Sequence, residues 1–413
     1  MPRWDEALVD DDVERERLDS RGTLLALATA GAHVRSAIGR TEEAGLRRVA
    51  GGDRPRGVLV CAVGGSAIVA DALGLVAEPG SPVPLGEAGS PPIPGWVGPL
   101  DLVIAVSQSG RAPGPLAVAA EAARRGASLF TVGAPDSPLA AVCASARGVH
   151  VDVPRDGTSS RTALWSMLTP VLLAADALGL AQCPPEVLAA VADRLDAGAA
   201  AYRPSSEAFV NPAKLLAADL AGGLPVVLGD GPVGGVAARR ARTMLARTAR
   251  VPASAGQLPD AASEIVALLD GPFTRHGAQE ADLATAVDDI FRDPFLDAAP
   301  DPRPVLLLLR GAGPGPGQER ATGSPRQSDA SSFSSSSPDS TGARGGDLAE
   351  AIAASAMDAG VRVREHRAQP GSRVEQLAEL VCLVDFAATY VALGFGLDPG
   401  VSGHVATLRD FGR

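Results

Sequence analysis

Short, uniformly apolar runs alternate with helical segments along this chain, and that alternation limits the fold more than any other feature. "GVLVCAV" (57–63), "DLVIAVS" (101–107), "SLFTVG" (128–133) and "VHVDVP" (149–154) read as strands. Between them "AIVADALGLVA", "GPLAVAAEAARRG" and "SPLAAVCASA" carry helical spacing. A strand without polar alternation must be covered on both faces, so this is the pattern of a parallel sheet flanked by helices. After "DAGAAAYRPSSEAFVN" the plan restarts. "LPVVLGDG" (224–231), "RPVLLLLRG" (303–311) and "VRVREH" (361–366) are the next strands, with an irregular stretch around "VPASAGQLPDAASEIVALL". A Gly/Ser/Pro-rich segment, about 311–346, interrupts a strand-to-helix crossover; it cannot bury a core and is expected to be a disordered insertion.

Composition narrows the function classes. At 413 residues, two domains are the better prior. A formal net charge of -11 argues against nucleic acid as a partner, because phosphates are repelled unless one face is strongly basic. Four scattered cysteines, Cys61, Cys143, Cys183 and Cys382, lack CxxC pairing and read as reduced, buried thiols. The acidic N-terminus has no apolar signal-like core, and a cytoplasmic location is expected. "LAELVCLVDFAATYVALGFG" is long enough to span a bilayer, but Asp385 sits mid-run, so a buried helix and no membrane is the expectation. Lys214 is the only lysine; in an arginine-biased chain it reads as a snorkelling helix residue.

In open parallel sheets, ligands bind at the carboxyl ends of strands where the strand order switches. Two loops belong there. Gly64-Gly65-Ser66 follows the first strand, where glycines allow close approach and a helix start favours an anion. Ser107-Gln108-Ser109-Gly110 ends the next, with two hydroxyls that can wrap one phosphate. Each loop alone is also explained as a turn with a capping serine. Neither carries the Gly-x-Gly-x-x-Gly dinucleotide pattern.

"VGGSAIVADAL" followed by "VSQSG" resembles the sugar isomerase (SIS) domain. "LDSRGTLLALATAGAHVRSAI", "VPRDGTSSRTALWSML", "NPAKLLAADLAGGLPVVLGDG" and "LVDFAATYVALGFGLDPGVSGHVATLR" extend the likeness to the bifunctional phosphoglucose/phosphomannose isomerases over residues 19 to 413, apart from the insertion. The resemblance implies an α/β fold of two SIS domains, each a doubly wound parallel sheet flanked by helices. These are expected at 19–195 and 196–413, after an N-terminal tail of residues 1–18. It also implies a homodimer, phosphorylated sugars as ligands, and no cofactor or metal. Carried over, Gly65, Ser66, Ser107, Ser109 and Gly110 match the sugar- and phosphate-binding loops, with Arg111 where the family has a polar residue. Arg161 matches the arginine near the reacting carbons, where a guanidinium stabilises a developing enediolate.

The catalytic segment departs from the family pattern. Aldose–ketose isomerisation needs a base and a ring-opening acid. Where the family has Glu-x-Asn-His-Asn-Glu, this chain has "QLPDAASEIV", leaving Asp260 or Glu264 as carboxylate and no histidine nearby until His276. Glu264 is the expected base. His404, near the Arg409 position of a family lysine, is the expected ring-opening group, with His366 as the other candidate. His33 and His150 read as structural. Two functions follow: a hexose 6-phosphate isomerase, or a non-catalytic SIS protein that binds a phosphorylated sugar and regulates or scaffolds carbohydrate metabolism.

Overall fold

The computed structural model describes residues 4–50, 54–78, 80–154, 159–274, 303–312 and 341–410. Most of the expected insertion and His276 lie outside them. The chain forms two compact units interleaved along the sequence. One gathers Pro2–Ala218, Thr243–Val251 and Val381–Arg413; the other gathers Asp219–Arg242 and Pro252–Leu380.

The first unit is built on five parallel strands: β1 (Val58–Ala62), β2 (Leu85–Glu87), β3 (Leu102–Ser107), β4 (Ser128–Gly133) and β5 (Val149–Asp152). Their order is β2-β1-β3-β4-β5. On one face Leu59, Cys61, Val103, Ala105 and Leu129 pack against the helices Pro113–Arg124 and Pro138–Ser145. Val58, Val60, Ile104 and Phe130, which alternate with them, are buried as well. Both faces are therefore covered, as the unbroken apolar runs require.

The second unit holds β6 (Leu224–Asp230), β7 (Ser254–Leu258), β8 (Pro304–Arg310) and β9 (Arg362–Arg367), all parallel, in the order β7-β6-β8-β9. Leu228, Leu306 and Leu308 form its core with Ile265 and Leu269 of the helix Ala262–Leu269 and Ile352 of the helix Thr341–Asp358. That last helix begins inside the segment read from sequence as insertion. The strands not anticipated, β2 and β7, each pair with a single neighbour. "LGE" is too short, and "SAGQL" too small and polar, to show strand periodicity.

The helix Arg373–Gly394 is long and apolar enough to cross a membrane, and 94% of its apolar window is buried inside the protein. Asp385 is itself 4% exposed. All four cysteines are buried thiols outside any disulfide. Burial pushes the Cys61 and Cys183 thiols up to about 12. Because the thiolate is the reactive species, a thiol-reactive dye should label none of the four in the native protein and all four after unfolding.

Candidate functional site

In the first sheet the chain leaves β1 towards β2 on one side and returns to β3 on the other. The strand order therefore switches between β1 and β3, the position where such sheets bind ligands. Ala62 of β1 is in register with Val106 of β3. Both glycine- and hydroxyl-bearing loops thus emerge side by side at the carboxyl edge, one strand spacing apart, about 4.8 Å.

The β1 loop is shaped by its glycines. Gly64 has φ +64, and Gly64–Ser66 form a short 3-10 turn leading into the helix Ile68–Ala77. A Cβ on Gly65 would lie 2.6 Å from Ser160 Oγ, so only glycine lets the Ser159–Ser160 loop close on it. Ser66 is 3% exposed, and its hydroxyl donates to the Val63 carbonyl at 2.9 Å. The helix has no side-chain cap, so Ser66 does not serve as one.

The β3 loop is preformed. Gly110 N–H donates to the Ser107 carbonyl at 2.8 Å, closing a tight turn. Ser107 Oγ accepts from the Ala112 amide, and Ser109 Oγ accepts from the Arg111 amide. Accepting leaves the buried Ser107 hydroxyl its proton, available to donate to an incoming oxygen. Gly110 has φ +62, and its Cα side faces Ser137, the N-cap of the helix Pro138–Ser145. Arg111 is exposed beside this loop.

Arg161 is 9% exposed. Its Nη1 donates to the Arg247 carbonyl at 2.7 Å and to Thr248 Oγ1 at 3.2 Å, and its Nη2 donates to the Gly400 carbonyl at 3.3 Å. These three acceptors fix the orientation of the guanidinium fork. The Ser160 that packs on Gly65 is the residue before it, which puts Arg161 next to the β1 loop. The structure therefore gathers Gly65, Ser66, Ser107, Ser109 and Gly110 around one sheet edge, with the Arg161 backbone beside the β1 loop and its guanidinium bonded to Arg247, Thr248 and Gly400. His404 is exposed on the helix Gly403–Asp410, whose start lies three residues beyond Gly400. Glu264 is exposed in the first turn of the helix Ala262–Leu269 of the second unit, and Asp260 is exposed as well. His366 Nε2 lies 3.6 Å from Glu379 Oε1. His150 is held by Thr131 Oγ1 at 2.6 Å, and burial lowers its pKa, as suits a structural histidine.

The second sheet presents something different at its own switch point, between β6 and β8. There Asp230 is in register with Arg310, and the two side chains pair at 3.0 Å, with Glu365 accepting from Arg310 at 3.1 Å. Burial works against the Arg310 charge, but Glu365 and Asp230 outweigh it and hold its pKa above the ordinary value. A carboxylate-lined corner already filled by a guanidinium is no seat for a phosphate.

Sequence reasoning missed the role of Lys214. Its side chain is buried rather than snorkelling: Nζ donates to Asp10 Oδ1 at 2.6 Å and to the Pro204 and Ser206 carbonyls, both at 2.8 Å, above the Tyr390 ring. It clasps the N-terminal helix Ala7–Asp10 to the helix Pro212–Ala221. Lys214→Met should lower stability by about 2–3 kcal/mol, since two carbonyls lose their donor while the half-exposed Asp10 regains water. Chemical denaturation reads that change directly.

Residues 209–411 match the bacterial phospho-glucose isomerase C-terminal SIS domain. No curated protein matches the sequence. Among solved structures, a hypothetical protein from Thermus thermophilus superposes with a TM-score of 0.63 at 15% identity, covering 97% of this chain and 94% of that one. A glucose-6-phosphate isomerase like protein from the same organism gives 0.52 at 19% identity, covering 97% and 98%. A glucose-6-phosphate isomerase from Chlamydia trachomatis gives 0.60 at 12% identity, covering 94% and 77%. With two parallel sheets flanked by helices and this match over its C-terminal part, the chain is an SIS-fold protein resembling the phosphoglucose isomerases.

Proposed function

We propose that the protein is an aldose–ketose isomerase of phosphorylated hexoses, converting glucose 6-phosphate or mannose 6-phosphate to fructose 6-phosphate. The observation that carries this reading is the convergence of the 64–66 and 107–110 loops at the β1/β3 switch point. In it, Ser107, Ser109 and Gly110 seat the phosphate, with Arg111 adding charge at the rim, while Gly65 and Ser66 approach the sugar. Arg161, its fork fixed by three acceptors, stabilises the enediolate, because a preoriented cation meets the developing charge without reorganising. Glu264 is the base this reading assigns, and His404 the ring-opening acid. A cytoplasmic homodimer without cofactor, metal, nucleic-acid or membrane partner completes it.

A second reading, a non-catalytic protein that binds a phosphorylated sugar and regulates carbohydrate metabolism, is favoured by one observation. Glu264 and His404 are both exposed, whereas general acids and bases are tuned by burial and neighbours. A coupled assay with fructose 6-phosphate separates the two. The isomerase reading expects turnover that falls by about a hundredfold or more in both Glu264→Gln and Arg161→Ala. Uptake of fructose 6-phosphate without turnover selects the binding reading, and turnover indifferent to both substitutions removes these residues from the mechanism.

A further inference from the structure

A carboxylate in the middle of an apolar helix is costly unless it is paired, and the chemistry assigned so far makes no use of Asp385. This residue is 4% exposed on the helix Arg373–Gly394, among Leu383, Val384, Phe386 and Ala387, all buried. Thr389 Oγ1 donates at 2.8 Å to the backbone carbonyl of Asp385, not to its carboxylate. The helix borders a small cavity that Asp385 and Arg161 both line. The other walls are largely apolar and include Leu27, Leu164, Trp165, Leu195 and Phe386. One cavity thus receives an acid and a cation, 4% and 9% exposed respectively.

We propose that Asp385 is a positioning residue: its carboxylate is the counter-ion of Arg161 in this cavity and holds the guanidinium in the plane from which it meets the developing enediolate. The positioning role rests on the isomerase reading above; the pairing itself does not. A buried guanidinium needs a countercharge as well as hydrogen bonds, and Asp385 is the acid that lines its cavity. Between walls this apolar, the attraction of the two charges is screened far less than at the surface. A carboxylate also meets a guanidinium fork in the plane of the fork, so it fixes direction as well as charge. The Arg247 carbonyl, the Thr248 hydroxyl and the Gly400 carbonyl hold the two terminal nitrogens, and the carboxylate completes the clamp. Asp385 therefore acts through Arg161 rather than on the substrate.

A double-mutant cycle in chemical denaturation of the full-length protein tests the pairing, with Asp385→Asn, Arg161→Ala and the double variant. The unfolding constant of the double variant should be at least about tenfold smaller than the product of the two single effects. If a single variant does not fold, folding of the double variant is the expected sign of the same coupling, because removing both charges costs less than stranding one. Additive effects, or a double variant that also fails to fold, overturn the pairing. Turnover of fructose 6-phosphate tests the positioning. Asp385→Asn should lower kcat about tenfold while changing affinity for the ketose by less than about threefold. Asp385→Glu, which restores the charge, should recover part of that loss; where Asp385→Asn does not fold, a lowered kcat at retained affinity in Asp385→Glu takes its place. A carboxylate with a purely structural role would lower the melting temperature and leave kcat of the folded variants unchanged, and that result overturns the positioning role. If the native protein turns over and the cycle is additive, only this inference fails. If the native protein shows no turnover, the isomerase reading fails and the positioning role with it, while the cycle still decides the pairing.

Discussion

Gly110→Ala should abolish hexose-phosphate uptake and destabilise the protein by about 2–4 kcal/mol. Two costs coincide at this residue. Its φ of +62 lies in the left-handed region, where a Cβ costs about 1–2 kcal/mol. That Cβ would also stand 2.0 Å from Ser137 Oγ and 2.3 Å from Ser137 Cβ. The hydroxyl can rotate away, but the Ser137 Cβ is fixed to the backbone, so the loop or the helix start must move, at a cost typical of overpacking. Either movement breaks the Gly110–Ser107 turn that aims the loop. Gly110→Ala combined with Ser137→Gly removes the steric part and leaves the conformational part. The double variant should recover about half of the lost stability, which thermal melting of the pair decides; full recovery would mean that the backbone conformation of Gly110 is not required.

Arg161→Ala should lower turnover of fructose 6-phosphate by about a hundred- to a thousandfold, the range for loss of one preoriented electrostatic contact to a developing anion. The stability cost should be smaller, about 1–3 kcal/mol, because the Arg247 and Gly400 carbonyls and the Thr248 hydroxyl each lose a donor. Arg161→Lys separates charge from geometry. One ammonium cannot bridge acceptors on both sides of the fork, so charge is retained while orientation is lost. Turnover in the lysine variant should stay well below native while binding of the ketose changes by a few-fold. An equal fall in binding and turnover would make Arg161 a general anchor rather than a stabiliser of the reacting state.

What could be read from the sequence follows the physics of each segment. β1, β3 and β8 were legible because "VLVCA", "LVIAVS" and "PVLLLLR" are buried on both faces and carry no competing helical period. The edge strands β2 and β7 were not, since an edge pairs on one side only and tolerates short, small or polar residues. The β1 and β3 loops were legible as a candidate site because they follow two strands of one parallel sheet; a capping turn explains either loop alone but not the pair. Their registration at one switch point needed the strand order. Lys214 was hidden because what fixes it is a carboxylate about two hundred residues away plus two backbone carbonyls, which leave no mark in local composition. Glu264 was singled out by its place in a segment rather than by its surroundings, and it stands on an exposed helix turn.

Calorimetry of the native protein against fructose 6-phosphate, repeated with Ser107→Ala and with Gly65→Val, bears most directly on whether the β1 and β3 loops form one anion site. Saturable binding at one site per chain, weakened about tenfold or more by each substitution, is the predicted result. Binding that survives both changes, or heat effects no larger than dilution in the native protein, would contradict it.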